Sequence, residues 1–312
     1  MTPRTPGEAA EPDDIGGKKQ PVALVLGHRG LLGQALTRSL AAHGWQTHGL
    51  DRAERNPLDP DVLRPMLEET APDAIFNTIA WTQVDDAEAH PQEALAVNRG
   101  LPALLGNIVR NSGAYLMHFS SDFVFDGRKT SPYTEDDKPA PLSVYGESKL
   151  AGEQALLEPA APNICVVRTA WLFGPGRRNF VRVILDKARA GGALSVVDDQ
   201  IGSPTYTPDL AEACVKLADR RADGLIHVVN AGQASWCELA SEAVRLANIP
   251  TQVRPITSAD WPQAARRPAY SVLGAERYTA LAGQPMRTWA QALREYVYTD
   301  FLAESGHGQD AS

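Results

Sequence analysis

VALVLGHRGLLGQALTRSLAAHG, residues 22–44, runs through five apolar residues and three evenly spaced glycines into a stretch whose leucines and alanines recur at helical spacing. Five apolar residues bounded by a turn predict a strand buried on both faces, and the stretch after Gly33 predicts an amphipathic helix ending at Gly44. Gly27, Gly30 and Gly33 form GxxGxxG between the two. Alone, that spacing reads equally well as a tight turn. Placed after a strand and before a helix, it lets the backbone approach a pyrophosphate, whose charge meets the N–H groups and positive dipole end of a helix beginning near Leu31. Asp51 closes the next strand-like run, QTHGLD (46–51), where an acid holds adenosine ribose hydroxyls. Arg52 beside it and Arg29 inside the loop would welcome a 2′-phosphate on that ribose. The expected cofactor is therefore NADPH, with NADH accepted.

The alternation continues outward. DAIFNTIA (73–80), AYLMHFSS (114–121) and NICVVRTA (163–170) read as further strands, separated by helical stretches PDVLRPMLEET, PQEALAVNRGLPALLGNIVRNSG and VYGESKLAGEQALLE. Strands alternating with helices imply crossover connections and a parallel sheet covered on both faces. The fold class expected is α/β, a Rossmann-like doubly wound sheet over residues 21–173. From 174 to 300 the elements shorten around LSVVDD, IHVVNAG and VRPIT, predicting a smaller substrate-binding part whose segments interleave with the first. Residues 1–20, rich in Pro, Gly and charge, and residues 301–312 read as disordered tails.

Composition narrows the function. The chain has 312 residues, 43% hydrophobic and 22% charged, ordinary for a soluble globular protein. Its net charge of −8 argues against a phosphate-backbone binder, so nucleic acid is not an expected partner. Cys165, Cys214 and Cys237 are odd in number and scattered, fitting neither a disulfide framework nor a CxxC metal site and pointing to a reducing cytoplasm. No apolar run is long enough to span a membrane, and the N-terminus lacks the apolar segment of a signal peptide. The histidines show no HExxH-type spacing, so no protein-bound catalytic metal is expected.

Tyr145 and Lys149 of VYGESKLAGE lie just over one helical turn apart, on one face. With a dinucleotide loop upstream and Ser121 ending a strand, they resemble the Ser/Thr, Tyr, Lys triad of extended short-chain dehydrogenases/reductases. The resemblance narrows through WTQVDDAE (81–88), HFSSDFVFDG (118–127), PLSVYGESKLAGE (141–153), RTAWLFGPG (168–176), VDDQIGSPT (197–205) and RPAYSVL (267–273) to the dTDP-4-dehydrorhamnose reductase family.

That resemblance implies hydride transfer from NADPH to the C4 ketone of a dTDP-linked 4-keto-6-deoxyhexose. Tyr145 would be the proton donor, Lys149 the cation stabilising its anion and bonding the nicotinamide ribose, and Ser121 the hydroxyl holding the ketone oxygen. Asp122 and Trp171 match sugar-contacting positions. Leu31, Leu32, Asn56, Pro57, Ile79, Ala80 and Trp81 match cofactor-contacting ones. Departures are Trp81, Ser143, Asn56-Pro57, Tyr270 and Val272, which alter the family's usual residues while leaving the triad whole. Two other readings share these motifs: a sugar-nucleotide epimerase or dehydratase that returns its hydride, and a non-catalytic regulatory subunit resembling that of methionine adenosyltransferase. The oligomeric state stays open, a homodimer being one expectation.

Overall fold

Every second residue of the first strand faces the same helical layer. In the computed structural model, which describes residues 20–51, 55–158 and 162–303, β1 (Val22–Leu26) is buried throughout. Ala23 and Val25 join one core, Leu24 and Leu26 the other. The period-2 alternation of a strand thus supplies two cores from one apolar run, each fully buried Val or Leu side chain being worth about 1.5–3 kcal/mol. The chain continues as α1 (Leu31–Ala42), β2 (Gln46–Leu50), α2 (Pro60–Thr70), β3 (Ala74–Asn77), α3 (Val84–Ala89), α4 (Pro91–Leu95), α5 (Leu101–Ser112), β4 (Tyr115–Ser121), α6 (Val144–Leu157) and β5 (Ile164–Thr169). A wide helical turn over 96–100 joins α4 to α5.

Beyond β5 come β6 (Leu172–Phe173), α7 (Phe180–Arg189), β7 (Leu194–Val197), β8 (Ile201–Gly202), β9 (Thr205–Tyr206), α8 (Thr207–Asp219) and β10 (Gly224–His227). The chain then forms β11 (Ala234–Ser235), α9 (Trp236–Leu246), β12 (Val253–Ile256), α10 (Glu276–Ala282) and α11 (Trp289–Glu295). Six parallel strands make the main sheet, in the order β10-β5-β4-β3-β1-β2. Helices α1 and α8 cover one face and α2, α5 and α6 the other, the doubly wound α/β architecture expected.

Two placements differ from the sequence reading. The run IHVVNAG, expected in the smaller part, contributes Ile226 and His227 to β10, which pairs with β5 and completes the large sheet. Its apolar character suits a half-buried strand of either part, and only long-range pairing decides between them. Phe301, expected in the C-terminal tail, is 1% exposed and packs with Tyr296 and Val297 into the core of the smaller part. Residues 1–19, Arg52 and residues 304–312 lie outside the described residues.

The smaller part rests on α7, α9 and α11, whose buried faces meet around Leu185, Leu239 and Leu293. Three two-stranded pairings, β6–β9, β7–β12 and β8–β11, brace it. Inside the large sheet, Arg168 of β5 donates to Glu153 of α6 through Nε at 2.8 Å and Nη2 at 2.6 Å, both side chains almost wholly buried. Removing either partner would strand a buried charge, so this pair holds α6 in place along β5.

Candidate active site

The chain leaves β1 for β2 on one side and returns across β1 to build β3, β4 and β5 on the other. At such a switch point the adjoining loops part beyond the carboxyl ends of the strands and leave a crevice. A cavity of about 980 Å³ opens there. Gly27 and Gly30 form one wall with Leu31 and Leu32 of α1, Asp51 stands at the end of β2, and Ile79, Ala80 and Trp81 follow β3. Pro57 closes that end.

The glycines serve distinct needs. Gly27 takes φ +80°, a left-handed conformation that disfavours other residues, and a Cβ on Gly33 would collide with the Gly27 carbonyl. Gly33 therefore sits beneath the loop, letting α1 abut it, rather than on the cavity wall. Two expected contacts are also off that wall. Asn56 Oδ1 accepts from the Leu58 N–H at 3.2 Å, tying itself into the turn before α2, and Arg29 is not among the lining residues.

The triad converges on the inner wall. Ser143 caps α6, its Oγ accepting from the Gly146 N–H at 3.2 Å, which sets Tyr145 in the first turn and Lys149 one turn on. Lys149 is 1% exposed and its Nζ donates to the Phe119 carbonyl at 2.6 Å. Burial lowers its pKa to about 8, against the opposing pull of Glu153. The Tyr145 ring meets Phe123 edge-on, centroids 5.5 Å apart. Burial raises its phenol to about 12, the Ser121 hydroxyl opposing that rise and the Asp122 charge adding to it.

Ser121 Oγ donates to Asp122 Oδ1 at 3.0 Å and accepts from the Phe123 N–H at 3.2 Å. Asp122 is 1% exposed, and its other oxygen accepts from Ser271 Oγ at 2.5 Å. Burial lifts this carboxyl to about 6, with the two serine hydroxyls working against the rise. Although Asp122 borders the cavity, both of its oxygens are engaged by serines.

Trp171 lines the cavity beyond the triad, in the left-handed region at φ +48°, an outlier for so bulky a residue. Its indole lies flat on Trp236, centroids 3.5 Å apart and planes within 4°, so one of its faces is already covered. Arg177, Arg178 and Lys187 bring positive charge to this far end, with Gln200 and the 55%-exposed Trp261 nearby. Sequence reading missed all of these. The paired arginines directly after RTAWLFGPG were the one local signal. Gln200 lies within VDDQIGSPT, but Lys187 and Trp261 belong to none of the quoted blocks because they come from separate elements.

Arg267 also reaches the cavity. Its guanidinium grips Asp85 of α3 through Nη1 at 3.1 Å and Nη2 at 2.7 Å, and Asp85 Oδ1 takes a further 3.0 Å bond from the Ala265 N–H. The Arg267 hydrogen bonds hold this carboxyl below its ordinary pKa. The clasp ties the segment around Arg267 to α3 beside the cavity.

The residues present fit a dinucleotide. The glycine loop offers backbone where side chains would obstruct, and Asp51 stands where a ribose belongs. Trp81 Nε1, Ser120 Oγ and Thr169 Oγ1 are buried without a protein partner on residues that border the cavity. Buried polar atoms ordinarily find partners, and a bound polar ligand would supply them. Among the described residues no cluster of His, Cys, Asp and Glu could hold a metal ion, and no helix is long and apolar enough to cross a membrane.

Residues 22–301 match the family described as RmlD substrate binding domain. A curated Streptomyces antibioticus protein, a probable dTDP-4,6-dihydroxy-2-methyloxan-3-one 4-ketoreductase, is 41% identical over 90% of this chain and 95% of its own. The dTDP-4-dehydrorhamnose reductase of Streptomyces griseus is 40% identical over 88% of this chain and 93% of its own. Among solved structures, the dTDP-4-dehydrorhamnose reductase of Bacillus anthracis in complex with NADP superposes with a TM-score of 0.85 at 32% identity, covering 89% of this chain and 98% of that one.

Proposed function

The chain belongs to the dTDP-4-dehydrorhamnose reductase family, and from that premise we propose that it reduces the C4 ketone of dTDP-4-dehydro-L-rhamnose to give dTDP-L-rhamnose, with NADPH preferred and NADH accepted. The observation that carries this reading is a single cavity with the glycine loop at one end, Arg177, Arg178 and Lys187 at the other, and Ser121, Tyr145 and Lys149 between them. A reduced nicotinamide supplies the hydride. The glycine loop and the start of α1 receive its pyrophosphate, and Asp51 its adenosine ribose. The far cations suit the diphosphate of the sugar nucleotide, since Arg and Lys bind phosphate oxygens through charge-assisted bonds.

At the centre, Ser121 turns its hydroxyl to the ketone oxygen and Tyr145 delivers its proton to that oxygen as negative charge develops. With the Lys149 ammonium turned to the Phe119 carbonyl, burial leaves the Tyr145 phenol near 12, a reluctant acid until that ammonium turns toward it. The Lys149 ammonium lowers that barrier by stabilising the phenolate left behind. Trp171, held between Trp236 and the Gly202 backbone, offers its remaining exposed edge to the apolar side of the hexose. The reducing cytoplasm is the setting consistent with three free, buried cysteines.

The test is direct. Purified protein with NADPH and dTDP-4-dehydro-L-rhamnose should consume nicotinamide absorbance in step with formation of dTDP-L-rhamnose. An epimerase would interconvert sugars with no net cofactor oxidation, and a regulatory subunit would bind NADPH without turning over any dTDP-sugar. Either result would displace the reductase reading.

A further inference from the structure

The block RPAYSVL carries no chemistry in the reaction as drawn, yet it is stitched into both parts of the molecule. Tyr133 donates its N–H to the Val272 carbonyl at 2.8 Å, and Gly274 returns a bond to the Tyr133 carbonyl at 2.7 Å. From the other side, Ile201 donates to the Ala269 carbonyl and Ser271 to the Ile201 carbonyl, each at 2.8 Å. Leu273 N–H reaches Ser203 Oγ at 3.1 Å. Backbone bonds on either side therefore fix Ser271 as residue 271 passes between the two parts. Its side chain, 2% exposed, reaches one acceptor, Asp122 Oδ2 at 2.5 Å. The opposite oxygen of that carboxylate takes the Ser121 proton at 3.0 Å.

The structure assigns Ser271 as a positioning residue for the reduction, acting through the Asp122 carboxylate to aim the Ser121 hydroxyl beside Tyr145. This rests on the reading of Ser121 as the ketone-holding group. The physical logic is that of a rotor held at both ends. A carboxylate on a short side chain can turn about its terminal bond, and a hydroxyl leaning on it turns with it. Ser271 pins the far oxygen, so the near oxygen holds Ser121 Oγ in one place, and the hydroxyl proton has only to swing from Asp122 Oδ1 to the ketone oxygen when substrate arrives. The tie joins residues 149 positions apart, so it forms only when the C-terminal segment has docked.

Ser271→Ala should lower kcat for the dTDP-hexulose by roughly tenfold to a hundredfold, since a misplacement of about 1 Å at the reacting centre can cost 10², while NADPH affinity measured by titration stays within about twofold. Ser271→Thr, which keeps the hydroxyl, should recover most of the loss. Ser121→Ala/Ser271→Ala should be no slower than Ser121→Ala alone, because a residue that acts only through Ser121 has nothing left to position. The inference is overturned if Ser271→Ala leaves kcat unchanged, if its effect multiplies that of Ser121→Ala, if Ser271→Thr is as impaired as Ala, or if NADPH binding is lost along with turnover. Ser121→Ala separates the two levels. Full turnover by that single variant would remove the reading of Ser121 itself, whereas a slow Ser121→Ala beside a normal Ser271→Ala would remove only the assignment of Ser271.

Discussion

The two ends of the cleft are built on opposite plans. The glycine-loop end is centred on one continuous strand, turn and helix, residues 22–42, whose Gly27 and Gly30 offer backbone, with Asp51, Pro57 and residues 79–81 set around it. The far end gathers side chains from separate places: Trp171 after β5, Arg177 and Arg178 before α7, Lys187 within α7, Gln200 before β8 and Trp236 at the start of α9. Backbone recognition suits a ligand shared by many enzymes, because any chain that makes the turn presents the same N–H groups. Assembled side chains suit a ligand that must be told from its neighbours, because each contact can be changed separately. The triad lies where the two plans meet.

The sharpest way to break this comparison is at that meeting point. Tyr145→Phe keeps the ring and removes the proton, so NADPH binding should stay nearly intact while turnover falls about a hundredfold or more, general acid catalysis being worth 10² to 10⁴. Stopped assays alongside a cofactor titration would check this, and turnover within a few-fold of wild type would dismiss Tyr145 as the acid.

pH gives the next largest effect. Lys149 has a pKa depressed to about 8, so its charge is complete below that value and is lost as pH rises through it. With the cation gone, the phenolate of Tyr145 loses its stabilising partner. The kcat/KM profile, which reports the free enzyme, should fall toward a tenfold loss per pH unit above about pH 8. A flat profile up to pH 10 would mean that the Lys149 charge is not needed.

At the far end, Arg177→Ala/Arg178→Ala should raise KM for the dTDP-hexulose by roughly tenfold or more, since hydrogen bonds to charged groups contribute about 1.5–3 kcal/mol each. NADPH affinity should not follow. Parallel loss of both affinities would merge the two ends into one site.

Trp171→Ala should have a smaller effect, a several-fold rise in KM with slower turnover and unchanged NADPH affinity. Its stack on Trp236 makes the alternative concrete. A purely structural tryptophan would cost about 3–5 kcal/mol of stability on truncation and weaken both ligands. A thermal melt beside the kinetics distinguishes the two. The smallest effect concerns cofactor choice: Arg52→Ala should shift the NADPH-to-NADH ratio of specificity constants toward NADH, and an unchanged ratio would remove Arg52 from ribose recognition.

The sequence by itself determined what depends on near neighbours. Alternation in VALVL, helical spacing after Gly33 and the one-turn gap between Tyr145 and Lys149 each express a local geometry, so the sheet, the glycine loop and the shared helical face of Tyr145 and Lys149 were legible. The placement of Asp51 was readable for the same reason, as it ends the strand next to β1. What only the tertiary structure decided depends on residues far apart in the chain. Ser271 takes the second oxygen of Asp122, and Trp236 covers one face of Trp171. Arg267 meets Asp85 across 182 positions, and β10 joins the large sheet rather than the smaller part. Hydroxyls, carboxylates and indoles carry no periodicity that announces a distant partner. Their roles are set by which segments the hydrophobic cores bring together, and that choice is made by the whole chain at once.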